Sequence, residues 1–133
     1  MAGANKPVIA VLNASTDVLE LLQEALEDEG FVTVRAAVPE IKRGSEDFVA
    51  FLKEHDPAAI VYDVSPPYEE NWTFLRLLRD TEAAKGRPFV ITTTNKRALE
   101  AAIGATDAHE VIGKPYDLQE IVKAVHDALA ARR

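Results

Sequence analysis

Five short segments rich in apolar and β-branched residues are spaced along the chain. Runs of this kind are typical of parallel strands, because a strand covered on both faces is hydrophobic at nearly every position. The strands are predicted at residues 8–12, 31–34, 58–62, 88–93 and 110–113.

Between these strands, apolar residues recur with the spacing of an amphipathic helix. The first helix follows Ser15, Thr16 and Asp17, which are all candidate N-caps, and ends near Gly30. Its apolar stripe consists of Val18, Leu21, Leu22, Ala25 and Leu26.

Four further helices are predicted from similar signals. The second starts after Ser45 as its cap, the third carries Trp72 and closes near Gly86, and the fourth runs from Asn95 to Gly104. Asp117 and Glu120 form a capping-box variant at the start of the last helix. The stretch 36–45 fits no regular element.

Strands that alternate with helices predict an α/β fold with right-handed crossovers around a parallel sheet. We expect one domain over residues 1–133, with 1–6 flexible, built as a flavodoxin-like, doubly wound, five-stranded parallel sheet. The expected strand order is 2-1-3-4-5 with helices on both faces. In this arrangement a crevice opens where the first and third strands separate, outside their carboxyl ends.

Composition excludes several classes of function. The 133 residues contain no cysteine, which rules out disulfides and cysteine-bound zinc. No apolar run approaches the ~20 residues of a membrane span, and the N-terminus lacks the apolar core of a signal peptide. The net charge of −7 argues against nucleic acid as a partner. We therefore expect a cytoplasmic protein.

The ends of the predicted strands carry the candidate chemistry. Asp63 closes the third strand, and Lys114 follows the fifth, directly before Pro115. An acid and a base at the ends of two parallel strands predict a site for a phosphoryl group or another anion. The alternative for Asp63 is a carboxylate that merely caps a turn, and for Lys114 a surface lysine.

Over residues 8–129 the chain resembles the receiver domain of bacterial two-component response regulators. The resemblance is carried by Asp63-Val64-Ser65-Pro66-Pro67, by Thr93 at the end of its strand, and by Lys114-Pro115. It implies that Asp63 accepts a phosphoryl group from a phosphohistidine, that Thr93 and Lys114 bind that group, and that the Lys114–Pro115 peptide is cis. No enzymatic activity is implied beyond gain and loss of this phosphoryl group.

Three departures from the family pattern qualify this hypothesis. Asn13 and Ala14 stand where the family has two acidic residues that hold Mg²⁺. The remaining candidate ligands are Asp63, Asn13 and the backbone carbonyl of Ser65, so Mg²⁺ is expected to bind weakly or not at all. Val111 replaces an aromatic residue of the family's switch, and the stretch 36–45 is longer than usual.

Three functions therefore stay open. The first is a stand-alone receiver, which we expect because the last helix reaches the C-terminus. In this function a sensor histidine kinase or a phosphotransfer protein phosphorylates Asp63, and the output is binding to a protein target. The second is a pseudo-receiver that is recognised without phosphorylation. The third is a small flavin or nucleotide carrier on the same fold, because this architecture hosts many activities.

Overall fold

A parallel sheet forms the centre of the molecule. The computed structural model describes residues 6–93, 95–104, 110–113 and 118–131. Its strands are parallel and hydrogen-bonded in the order β2-β1-β3-β4-β5. They are β1 Val8–Asn13, β2 Val32–Ala37, β3 Ala59–Val64, β4 Phe89–Thr93 and β5 Glu110–Gly113. The predicted α/β class with a parallel sheet is confirmed.

Helices cover both faces of this sheet. They are α1 Thr16–Asp28, α2 Val38–Arg43, α3 Phe48–His55, α4 Tyr68–Arg79, α5 Lys96–Ile103 and α6 Leu118–Ala131. The predicted caps Ser15 and Asn95 are confirmed: each side chain accepts a hydrogen bond from a backbone N–H in the first turn of its helix. Within the described ranges, no helix has both the length and the hydropathy needed to cross a lipid bilayer.

The sheet divides the hydrophobic core into two layers. Residues such as Ile9, Val11 and Val61 pack with α1 and α6, whereas Leu12 and Ile60 pack with α2, α3, α4 and α5. Successive side chains of a strand point to opposite faces. The same alternation therefore decides on which face each polar residue at a strand end lies.

The stretch 36–45 contains the end of β2 and the short helix α2. Val38 and Ile41 of α2 are buried, and the helix ends at Gly44, whose φ of 81° is left-handed. Such a φ suits glycine because it lacks a Cβ. Hydrophobic contacts with the core thus stabilise the helix α2, although the sequence of this stretch shows no helical periodicity.

Two predicted helix ends were wrong. Asp47, not Ser45, caps α3, because Ser45 still belongs to the turn after α2 and its hydroxyl bonds to Glu40. The third predicted helix ends at Arg79 rather than near Gly86, and a 3-10 turn at Glu82–Ala84 follows. The expectations for residues 1–5 and for the cap at Asp117 lie outside the described residues.

The assignment of the α3 cap can be tested by mutation. Asp47→Ala should lower the free energy of unfolding by about 1 kcal/mol, the typical effect of removing an N-cap side chain. The substitution removes the acceptor for the Ala50 N–H. Asp47→Asn keeps an acceptor and should stay near wild type in urea denaturation. A larger loss from Ser45→Ala than from Asp47→Ala would contradict the assignment.

Candidate functional site

Buried polar side chains gather at the carboxyl ends of three strands. Asn13 of β1, Asp63 of β3, and Thr92 and Thr93 of β4 are the buried polar or charged residues in the part of the chain that the structure describes. A buried polar group is costly unless it is hydrogen-bonded. Their concentration at one edge of the sheet therefore marks the candidate site.

Asp63 lies in this cluster with 8% of its surface exposed. Its Oδ1 accepts a hydrogen bond from Thr92 Oγ1 at 2.7 Å, and its Oδ2 accepts one from Ser65 Oγ at 3.2 Å. No lysine, arginine or histidine among the described residues forms an ion pair with it. Within these ranges, two neutral hydroxyls stabilise the carboxylate.

Thr93, the predicted phosphoryl ligand, has a different partner. Its hydroxyl donates to the backbone carbonyl of Val64 at 2.9 Å. The register pairs Asp63 with Thr92 and Val64 with Thr93. Thr92 therefore lies on the same face as Asp63, and Thr93 lies on the other.

Sequence reasoning assigned no role to Thr92. The alternation of side chains already separated Thr92 from Thr93, but the partner of each depends on the register between β3 and β4. That register is a long-range property of the sheet. The role of Thr93 toward a phosphoryl group stays a prediction.

Lys114 and Pro115, with their predicted phosphoryl contact and cis peptide bond, lie outside the described residues. The backbone of β5 pairs with β4, with Gly113 opposite Thr93. Lys114 is the next residue in the chain. Convergence of Lys114 with Asp63 stays a prediction.

Asn13 is 3% exposed, and only one of its two side-chain polar atoms has a hydrogen-bond partner among the described residues. Its Oδ1 accepts a hydrogen bond from the Ser15 N–H at 2.9 Å, just before α1. Its Nδ2 is buried and has no partner among the described residues. The side chain thus presents an unsatisfied donor at the place where the family has a carboxylate.

The resemblance implies Mg²⁺, but the donor set does not fit this ion. Mg²⁺ requires near-octahedral oxygen coordination and is usually held through one or two carboxylates. Asp63 contributes one carboxylate, and both of its oxygens already accept hydrogen bonds. Asn13 Oδ1 accepts from Ser15, and the Ser65 carbonyl accepts from Asn71 Nδ2 at 2.6 Å. No cluster of three metal-ligating side chains occurs within the described ranges.

A chain of hydrogen bonds links Asp63 to the surface of α2. Lys42 Nζ donates to Asn71 Oδ1, Asn71 Nδ2 donates to the Ser65 carbonyl, and Ser65 Oγ donates to Asp63. We call these four residues the Lys42–Asp63 chain. It connects α2 to the end of β3 and to α4, the helix that follows β3 in the chain.

The Lys42–Asp63 chain borders a cavity of about 230 Å³. Burial raises the pKa of Tyr62 in its wall, and the adjacent charge of Asp63 raises it further. The cavity offers room beside Asp63 for a small group, with Lys42 as a cation in its wall. Its lining consists of Ala14, Val38, Pro39, Lys42, Tyr62, Asp63, Ser65, Pro66 and Asn71.

Comparison with curated proteins gives two response regulators. The chain is 25% identical over 123 residues to the transcriptional regulatory protein GltR of Pseudomonas aeruginosa, covering 92% of this chain and 48% of that protein. It is 26% identical over 117 residues to the response regulator Rre1 of Synechocystis, covering 87% and 48%. The chain thus spans about half the length of these relatives. No family model matches the sequence.

Solved structures with the same fold include receiver domains. A sensor protein from Polaromonas has a TM-score of 0.78 at 19% identity, with 97% of this chain and all of that chain covered. A response regulator receiver protein from Sinorhizobium medicae has a TM-score of 0.71 at 22% identity, covering 96% and 98%. The chain therefore has the receiver fold, and its curated relatives are response regulators.

The structure predicts an energetic coupling between Thr92 and Asp63. Thr92→Val keeps the shape of the side chain but removes the donor to a buried carboxylate, so it should destabilise the fold by about 1.5–3 kcal/mol. The loss should be smaller in an Asp63→Ala background, with a coupling of about 0.5 kcal/mol or more in urea denaturation.

Thr93→Val is the matched control, because Thr93 bonds to the Val64 carbonyl and not to Asp63. Its effect should be the same with and without the Asp63→Ala substitution. Equal coupling of both threonines to Asp63 would show that the hydroxyl assignment is wrong.

Proposed function

We propose that the chain is a receiver-fold module of two-component signalling that a protein partner recognises without phosphorylation of Asp63. The observation that carries this proposal is the set of groups around Asp63: neutral hydroxyls donate to its two oxygens, and Asn13 and Ala14 stand where the family has acidic residues. The likeness to response regulators supports the signalling class. Those relatives are about twice as long as this chain, so their activities also depend on regions that the match does not cover.

Charge balance supports the same proposal. Transfer of a phosphoryl group relies on positioning and on cations that neutralise the developing charge. Near Asp63, the positions that hold Mg²⁺ in the family are occupied by the Asn13 amide and by Ala14, which lacks a polar side chain. The donor set at the site therefore favours a carboxylate with a structural role.

The second candidate is a phosphorylated receiver, and the cavity beside Asp63 favours it. A space of about 230 Å³ with Lys42 in its wall offers room and a cation for a small phosphorylated group. In this candidate Asp63 is the phosphoacceptor, Thr93 and Lys114 bind the phosphoryl group, and a histidine kinase or phosphotransfer protein is the donor. Mg²⁺ would bind weakly.

A flavin carrier is not favoured at this crevice. The cavity of about 230 Å³ is smaller than the ~300–1,000 Å³ of pockets for drug-sized ligands. Four of its lining side chains are also committed to the Lys42–Asp63 chain.

Intact mass after incubation with acetyl phosphate and Mg²⁺ tests the proposal. We expect no phosphoryl adduct on the wild-type protein, because the site lacks the acidic pair that would hold Mg²⁺ beside Asp63. The double variant Asn13→Asp, Ala14→Asp restores the acidic pair and should acquire an adduct that depends on Mg²⁺. Circular dichroism checks that this variant is folded.

The triple variant that also carries Asp63→Asn is the control, and it should lose the adduct. A wild-type adduct that Asp63→Asn abolishes would overturn the proposal and establish the second candidate. If the double variant also gains no adduct, restoring the acidic pair does not enable phosphorylation. This result would contradict the argument that the wild-type site fails because it lacks ligands for Mg²⁺.

A further inference from the structure

A larger cavity lies at the opposite end of the sheet. Its volume is about 620 Å³, and Phe89 at the start of β4 contributes to its wall. Thr92 in the candidate site is three residues further along the same strand, a distance of about 10 Å. The remaining walls come from α4 and its C-cap Asp80, from the connection 84–87 and from Ile103 of α5. This cavity is separate from the one beside Asp63.

Positive charge is concentrated in this cavity, although the whole chain carries a net charge of −7. Four of the lining side chains are cationic and one, Asp80, is acidic. We call the four the basic cluster, and they are Arg76, Arg79, Lys85 and Arg87. The net charge of the chain repels an anion, but these side chains make the local charge in this cavity favourable to one.

Contacts within the protein position two of these arginines. The guanidinium of Arg87 donates to the Ala83 carbonyl at 2.8 Å and to Asp56 at 2.9 Å, and its side chain is 13% exposed. Arg79 lies over the Phe89 ring, with its guanidinium carbon 5.7 Å from the ring centroid. Preorganised cations of this kind lose little conformational entropy when a ligand binds.

Arg76 is exposed and forms no ion pair with a described residue. The C-terminal dipole of α4 explains basic residues in its last turn, which include Arg76 and Arg79. Lys85 and Arg87 come after the helix, line the same space and pair with Glu82 and Asp56. Their convergence points to a ligand.

We propose that this cavity binds a small phosphate-bearing anion of about nucleotide size. Arginine recognises phosphate through paired, charge-assisted hydrogen bonds. A volume of about 620 Å³ falls in the ~300–1,000 Å³ range of small-molecule sites. The concave shape favours a small molecule over an acidic protein surface. This inference is independent of the proposed function, because it concerns a different part of the fold.

The experiment uses pyrophosphate and ATP as probes at constant ionic strength, without Mg²⁺, in isothermal titration calorimetry. Trp72 is the single tryptophan of the chain and lines the cavity, so its fluorescence reports pyrophosphate binding directly. We expect saturable heat for at least one probe. Arg76→Glu and Arg79→Glu should weaken its binding by about tenfold or more, as loss of a charged contact does.

Arg35→Glu is the matched control, because it changes the net charge equally on the exposed edge strand β2, at the other side of the sheet. It should leave binding within about twofold of wild type, as expected for charges separated by more than a Debye length. Lys42→Glu tests the cavity beside Asp63 and should also leave binding nearly unchanged.

Three outcomes would overturn the proposal. The first is no saturable heat with either probe, and the second is an equal loss of affinity in Arg35→Glu and Arg76→Glu. The third is loss of binding in Lys42→Glu but not in Arg76→Glu, which would place the anion beside Asp63. In the first outcome, binding of poly-glutamate would show that the basic cluster takes an acidic polypeptide instead of a small anion.

Discussion

The structure depends on how a buried carboxylate is stabilised at the end of a strand. Asp63 is almost fully enclosed, and an enclosed charge is costly unless its oxygens are hydrogen-bonded. The hydroxyls of Thr92 and Ser65 meet this requirement. Their positions follow from the β3–β4 register and from the turn after β3, so the sheet itself determines the chemistry of the site.

The helix α2 extends this local arrangement to the surface. It buries Val38 and Ile41 against the core and brings Lys42 to Asn71, which holds the Ser65 carbonyl. A ligand that bound at Lys42 would therefore act on the turn that holds Asp63.

Much of the fold was accessible from the sequence because it depends on local signals. Apolar runs identified the strands. Asn95 was predicted as a cap and Ser15 was one of three adjacent candidates, because a cap bonds to N–H groups two or three residues ahead. The exit of β3 at Asp63 followed from the same reasoning. The helix α2 was missed because its stability comes from contacts with the core rather than from periodicity.

The details of the site were harder to predict because they depend on contacts between distant residues. Asp63 and Thr92 are 29 positions apart, as are Lys42 and Asn71. No local pattern indicates which of two adjacent threonines faces the carboxylate, or that a lysine from an irregular stretch reaches α4. The basic cluster likewise combines residues from a helix and from the connection that follows it.

The central claim is that hydroxyl groups, and not a metal ion, complete the surroundings of Asp63. The most direct measurement is a titration of the isotope-labelled protein with Mg²⁺, followed by NMR at the backbone amides of Asp63 and Ser65 and at the side-chain amide of Asn13. The account predicts no saturating shift up to about 20 mM, above the ~1 mM of weak extracellular cation sites. Saturation of all three signals at about 1 mM or below would contradict it.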